Sequence, residues 1–170
     1  EHLLIVNKLA GELVVAAEGD GKMPLYDFLH KNYPGLRVVH RLDYGTSGVL
    51  VFAKSAQTVK IIRDTKFAGW KKRYRMLVAG HMREKFGTIT KPLRARTHTG
   101  FVEATTHFKV IQNYTHAAYV ETDIETGRKH QIRQHMASLG HPLLLDPQYG
   151  DSRKDRELKR SFKYRRLFLH

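Results

Sequence analysis

Two apolar runs, Val38-Val39 and Val49-Leu50-Val51-Phe52, flank the segment His40-Arg41-Leu42-Asp43-Tyr44-Gly45-Thr46-Ser47-Gly48. This pattern restricts the local fold more than any other stretch of the chain. Short apolar, β-branched runs bounded by glycine and hydroxyl residues read as strands, so the segment predicts two buried strands joined by a bend. The bend carries an arginine two residues before a carboxylate. In isolation, such an Asp ordinarily caps its own backbone and such an Arg ordinarily faces solvent. A carboxylate held on a glycine-rich bend is also a good mount for chemistry, and a second constellation further along the chain favours that reading for Asp43.

The remaining pattern is that of strands with few helices. Residues 3–6 and 13–16 read as short strands broken at Ala10-Gly11, Gly19-Asp20-Gly21 as a turn, and 25–32 as a short helix. Strands are expected at 37–42 and 49–54. Ser55 is an N-cap candidate for a helix over 56–68 closed by Gly69, with Val59, Ile62 and Phe67 on its apolar stripe. A strand is expected at 74–79, an irregular hairpin region at 87–96, and an antiparallel pair at 102–110 and 117–124 turning at Gln112-Asn113. Thr126 is the expected cap of a helix through Leu139, stopped by Gly140 and Pro142. The order argues for an α+β fold: a mostly antiparallel mixed sheet with flanking helices and loops.

At 170 residues the chain is expected to form one domain with a real core. No apolar run reaches membrane-spanning length and no secretory signal opens the chain. It has no cysteine, which excludes disulfides and cysteine-ligated zinc and fits a reducing compartment; a cytoplasmic location is expected.

Charge narrows the partner. There are 30 Lys+Arg against 16 Asp+Glu, a formal net charge of +14. Residues 60–96 hold twelve basic residues and two acids, Asp64 and Glu84, and residues 151–170 hold eight basic residues and three acids. Such a surface attracts a polyanion by neutralising phosphates and releasing counterions. Interleaved aromatics (Trp70, Tyr74, Phe86, Phe162, Tyr164, Phe168) suit stacking on unpaired bases, so single-stranded or looped RNA is the expected partner.

The second constellation is Glu125-Thr126-Gly127-Arg128-Lys129-His130-Gln131-Ile132-Arg133-Gln134-His135. On the expected helix, Ile132, Met136 and Leu139 form the buried stripe, and His130 and Arg133 share a neighbouring face. Arg128 in the first turn is placed to hold phosphate together with backbone N–H groups. His130, His135 and His141 do not follow a zinc spacing and have no acids near them in sequence, so no metal site is expected.

Together, His40-Arg41-Leu42-Asp43 with Thr46-Ser47-Gly48 and Ala53-Lys54, and Thr126-Gly127-Arg128 with His130-Gln131-Ile132-Arg133 and His135, resemble the RluA-type pseudouridine synthases. Gly140, Pro142 and Tyr149-Gly150 extend the match. Lys72 and Tyr74 before Val78 and Gly80 match a further signature, and Asn7-Lys8 with Gly11 is similar to the opening one. The elements fall in the family's order over nearly the whole chain. Leu9 stands where the family usually has Pro, and Leu145 stands before Asp146 where it usually has Gly. Relative to the family, residues 1–170 are expected to be a single catalytic domain trimmed at its C-terminus and lacking an N-terminal S4-like domain.

The resemblance implies an isomerase that breaks the N1–C1′ bond of a uridine in ribosomal or transfer RNA, turns the base and rejoins it through C5. The target base must leave its stack, which is cheapest in a loop or unpaired stretch. Asp43 is the implied catalytic carboxylate, acting as nucleophile or base. Arg133 is its implied bidentate partner, holding it ionised, and Tyr74 stacks on the uracil or relays a proton. Arg41, Arg128, His130 and Leu143 are the implied RNA contacts, with Arg41 filling the space of the flipped base or forming a local pair with Asp43. The reaction needs no cofactor, and the sequence has no dinucleotide fingerprint or P-loop. A monomer is expected. An idle RNA-binding module on the same scaffold is the competing reading. A metal-dependent nuclease fits poorly because the acids are scattered.

Overall fold

The Leu3–Lys8 strand (β1) and the Gly48–Ala53 strand (β3) run antiparallel over their whole length, from Leu3 opposite Ala53 to Lys8 opposite Gly48. Arg37–Val38 (β2) pairs on the other side of β3, giving the order β1-β3-β2. β3 is the central strand, and all of its residues except Val49 are buried, which is why it reads as a continuous apolar run rather than an alternating one. These strands belong to the first of two compact units, Glu1–Trp70 and Lys71–His170. The computed structural model describes residues 1–16, 21–95, 99–150, 155–156, 158–160 and 164–170. Gly19, Asp20, Arg96 and Phe162 lie outside the described residues.

The first unit also holds two helices, Leu25–His30 (α1) and Ala56–Asp64 (α2). Ser55 caps α2 as expected, its side chain accepting the Thr58 N–H at 3.1 Å. The helix stops at Asp64, four residues before the expected end. Lys66 and Phe67 both take left-handed φ values of 48° and 59°, so the chain unwinds ahead of Gly69. Residues 13–16 do not form the expected strand. The Leu13 and Val14 carbonyls instead accept the first N–H groups of α1, from Leu25 and Tyr26, at 2.8 and 3.1 Å, an end that no side chain caps.

The second unit is built on a four-stranded antiparallel sheet of order β4-β9-β8-β5: Arg73–Ala79 (β4), Phe86–Ile89 (β5), Thr106–Asn113 (β8) and Ala117–Ile124 (β9). Leu93–Arg94 (β6) and Phe101–Val102 (β7) form a separate two-stranded ladder. The expected α+β, antiparallel architecture is what forms. The strands fall into three sheets, and every strand pair among the described residues is antiparallel. β8 bulges between Val110 and Gln112 and runs on to Asn113, so the turn lies at 114–116 rather than at Gln112-Asn113. One face of the sheet packs Met76, Val78, Phe108 and Val120 against Ile132 and Met136 of the last helix, Gln131–Ser138 (α3). The other face carries cross-strand charge rows, with Arg73 on Asp123 at 2.9 Å and Arg75 on Glu121 at 3.2 Å.

α3 begins four residues later than Thr126 would place it. Its N-cap is His130, left-handed at φ 54°, with no side-chain cap. The Thr126 hydroxyl instead donates to Gln131 Oε1 at 2.7 Å, and the Arg128 N–H donates to the same oxygen at 3.0 Å. Arg128 therefore precedes the helix rather than sitting in its first turn. Ile132 and Met136 are buried as expected, but Leu139, just past the helix, is 42% exposed.

Candidate active site

In the first unit, residues 39–47 form the loop between β2 and β3, and Asp43 stands near its tip, half-buried. The loop is braced at several points. The Asp43 carbonyl accepts the Thr46 N–H at 3.0 Å, and the Tyr44 carbonyl accepts the Gly11 N–H at 2.8 Å. Gly11 has φ +88°, a conformation that favours glycine there. The Lys8 side chain is fully buried, and its Nζ donates to the carbonyls of Leu9, Glu12 and Tyr44 at 2.8, 2.9 and 3.3 Å. Burial pushes the Lys8 pKa down, against the opposing pull of the nearby Glu12 and Asp43 charges. At the other end of the loop, Val51 N–H donates to His40 Nε2 at 2.9 Å, and the His40 ring meets Trp70 edge-on at 6.2 Å. That bond makes Nε2 an acceptor and places the proton of a neutral His40 on Nδ1.

In the second unit, a chain of hydrogen bonds fixes the approach to α3. Gln131 Nε2 donates to the Thr105 carbonyl and to Thr106 Oγ1 at 2.8 and 3.1 Å. Thr106 Oγ1 bonds His135 Nδ1 at 2.9 Å, and His135 Nε2 donates to the Lys91 carbonyl at 2.9 Å. Both His135 nitrogens are thus committed to protein, and burial lowers its pKa. His141 Nδ1 bonds the Ala79 carbonyl at 2.8 Å.

Two residues before His135, Arg133 is buried, and its Nε and Nη2 each lie 2.7 Å from a carboxylate oxygen of Asp146. Asp146 is 2% exposed and also accepts the N–H groups of Gln148 and Tyr149 on Oδ1 at 3.0 and 3.1 Å. Burial alone would raise the Asp146 pKa. The Arg133 fork and the two N–H donors outweigh it and hold the carboxyl below its usual value. Tyr149 lies over Arg133, ring centroid 5.1 Å from Cζ, and its hydroxyl is 3.1 Å from His130 Nδ1.

The structure brings His130 and Arg133 into one cluster, together with Asp146 and Tyr149. Within this unit, the carboxylate that meets Arg133 bidentately is Asp146. Tyr74 lies on β4 opposite Thr122, half-buried against the core; the Thr122 hydroxyl is buried without a hydrogen-bond partner. Leu143 is 1% exposed and belongs to the core cluster, so its side chain is packing rather than an open wall. Arg128 is exposed, its Nε donating to the Glu103 carbonyl at 3.1 Å. Arg41 is exposed, and no ion pair among the described residues holds it. Sequence reasoning missed the work of Lys8, Asp146 and Tyr149. Each stands in a matched motif, but nothing in a one-dimensional pattern says which carbonyls a lysine caps or which carboxylate an arginine meets.

Residues 2–138 match the family described as RNA pseudouridylate synthase. The chain belongs to this family. An uncharacterized RNA pseudouridine synthase of Bacillus subtilis is 38% identical over 90% of this chain and 56% of its own length. The ribosomal large subunit pseudouridine synthase D of Nitrosomonas europaea is 35% identical over 91% of this chain and 49% of its own. The chain thus spans about half the length of the curated relatives it matches. Among solved structures, human RNA pseudouridylate synthase domain containing 1 superposes with a TM-score of 0.79 at 28% identity, covering 99% of this chain and 72% of that one. Among its described residues, the chain has no helix long and apolar enough to cross a membrane.

Proposed function

We propose that this chain converts uridine to pseudouridine in RNA, with Asp43 as the catalytic carboxylate. The observation that carries the reading is the loop of residues 39–47. A family-matched aspartate stands near its tip, and the braces run through the main chain of Asp43 and Tyr44 and through buried Lys8. Such a mount fixes the main chain from which the carboxylate projects. The uridine leaves its stack, its N1–C1′ bond breaks, the base turns, C5 bonds to C1′, the C5 proton departs and N1 takes up a proton from solvent, so the product is an isomer of the substrate. Tyr74 and Arg133 carry the roles the family resemblance gives them, an aromatic face for uracil and a fixed guanidinium charge. Arg41, Arg128 and His130 contact the RNA, and the net charge of +14 supplies the general attraction.

Ribosomal RNA is the first substrate class to try, because relatives named for the large ribosomal subunit align over nearly the whole chain; transfer RNA is the second. The reading places the chain in the cytoplasm with its RNA. The test is nucleoside analysis after incubation with unmodified large-subunit RNA and, separately, transfer RNA. Pseudouridine in the digest supports the reading. RNA that binds but returns only uridine contradicts it and leaves a binding module.

A further inference from the structure

The cluster around Arg133 closes on itself. Asp146 pairs with the Nε–Nη2 edge of Arg133, and Asp146 Oδ1 also accepts the main-chain N–H of Tyr149. Tyr149 in turn lays its ring over the same guanidinium, 5.1 Å from Cζ to ring centroid. The residue that stacks on Arg133 is therefore anchored by the residue that ion-pairs with it. The turn that holds both is tightly closed. Gly150 N–H donates to the Asp146 carbonyl at 3.0 Å, and a Cβ at position 150 would collide with that carbonyl oxygen. Leu145, just before Asp146, takes a left-handed φ of 58°, and its N–H donates to Asp155 Oδ1 at 2.9 Å.

A guanidinium has five N–H bonds in one plane. With the Nε–Nη2 edge on Asp146, the three other N–H bonds, two on Nη1 and the outer one on Nη2, face away from that carboxylate. Their direction is fixed only if the plane cannot tilt. The ion pair fixes the guanidinium's position, and the ring fixes its tilt. The Tyr149 hydroxyl then reaches His130, whose left-handed backbone starts α3. One side chain thus holds two family-matched groups three residues apart.

We infer that Tyr149 is a positioning residue, its ring setting the plane of Arg133 and its hydroxyl setting His130 for contact with RNA. This inference rests on the isomerase reading proposed above. Two variants separate the two functions. Tyr149→Phe keeps the ring and removes the hydroxyl; Tyr149→Leu removes both and keeps an apolar filler.

The experiment measures kcat and KM for pseudouridine formation at a temperature where circular dichroism shows each variant folded. It also follows the Arg133 Nε–H resonance by NMR in protein without RNA. For Tyr149→Leu, kcat falls by about tenfold to a hundredfold, as for a displaced catalytic group, and the Nε–H resonance broadens. For Tyr149→Phe, the resonance stays sharp and the main change is a KM increase of about fivefold, the worth of one neutral hydrogen bond. A folded Tyr149→Leu protein with parental kcat and a sharp resonance overturns the inference. If the parent makes no pseudouridine on either RNA class, the isomerase reading fails instead. The resonance then decides the clamp by itself: broadened in the Leu variant it supports the positioning, and unchanged it overturns it.

Discussion

Asp43 and Asp146 are both family-matched in sequence context, and each unit holds its carboxylate-bearing segment in its own way. Asp146 is 2% exposed, pairs through both oxygens with Arg133, and accepts two main-chain N–H groups. Asp43 is half-buried on a loop braced through main-chain atoms and through Lys8. A carboxylate whose lone pairs are taken up by four donors is a structural anchor, whereas one whose loop is braced through the backbone can be mounted for chemistry. The contrast teaches that a rigid site needs both kinds: an anion that fixes an arginine, and an anion that is itself fixed by others.

The comparison breaks most sharply through stability. Asp146→Asn leaves Arg133 buried without its counter-charge, so unfolding in urea should show a loss of about 3 to 5 kcal/mol. Asp43→Asn should cost about 1 kcal/mol or less by the same measurement. Equal losses would erase the distinction. Lys8→Met probes the brace rather than the carboxylate. It strips one donor from three carbonyls, and a loss of about 2 to 3 kcal/mol is expected, with turnover reduced in the folded protein because the Asp43 loop loosens.

Leu145 tests the turn that presents Asp146. Leu145→Ala removes a buried side chain and keeps the left-handed strain, for a loss of about 2 to 3 kcal/mol. Leu145→Gly loses the same packing but relieves about 1 kcal/mol of strain, so the Gly variant should be the more stable of the two. The reverse order would mean that the backbone at 145 is unstrained.

The smallest effect is on pH. His135 and Asp146 both have depressed folded-state values. For each group the unfolded chain binds more protons between the two values, so the stability it contributes is present above its unfolded value and lost as pH falls through the folded one. Stability of the second unit should therefore decline first as pH drops below 6.5, through His135, and again below 3.8, through Asp146. His135→Asn should remove the first decline and leave the second.

Much of the frame was legible in local chemistry. Ser55 caps its helix, and β1, β3, β4 and β9 follow the apolar pattern, because each depends on neighbours in sequence. The start of α3 was not legible. Thr126 looks like a cap, but its hydroxyl goes to a side chain, Gln131, and His130 begins the helix in a conformation that no composition rule favours. Residues 13–16 have strand-like composition, yet their carbonyls receive the N–H groups of α1. At the site, residue types were readable from the motifs. Partners were not, since the pairing of Arg133 with Asp146 depends on how a turn thirteen residues away folds back.

The central claim is that Asp43 performs the chemistry while the charged and aromatic surface binds the RNA. The most direct measurement is tritium release from RNA labelled at C5 of uridine, run side by side on the parent chain and Asp43→Asn, with RNA affinity measured on both. The account predicts release by the parent, none by the variant, and equal or slightly tighter binding by the variant, which has lost one negative charge. Release by Asp43→Asn at the parent's rate would contradict it and move the chemistry to another residue.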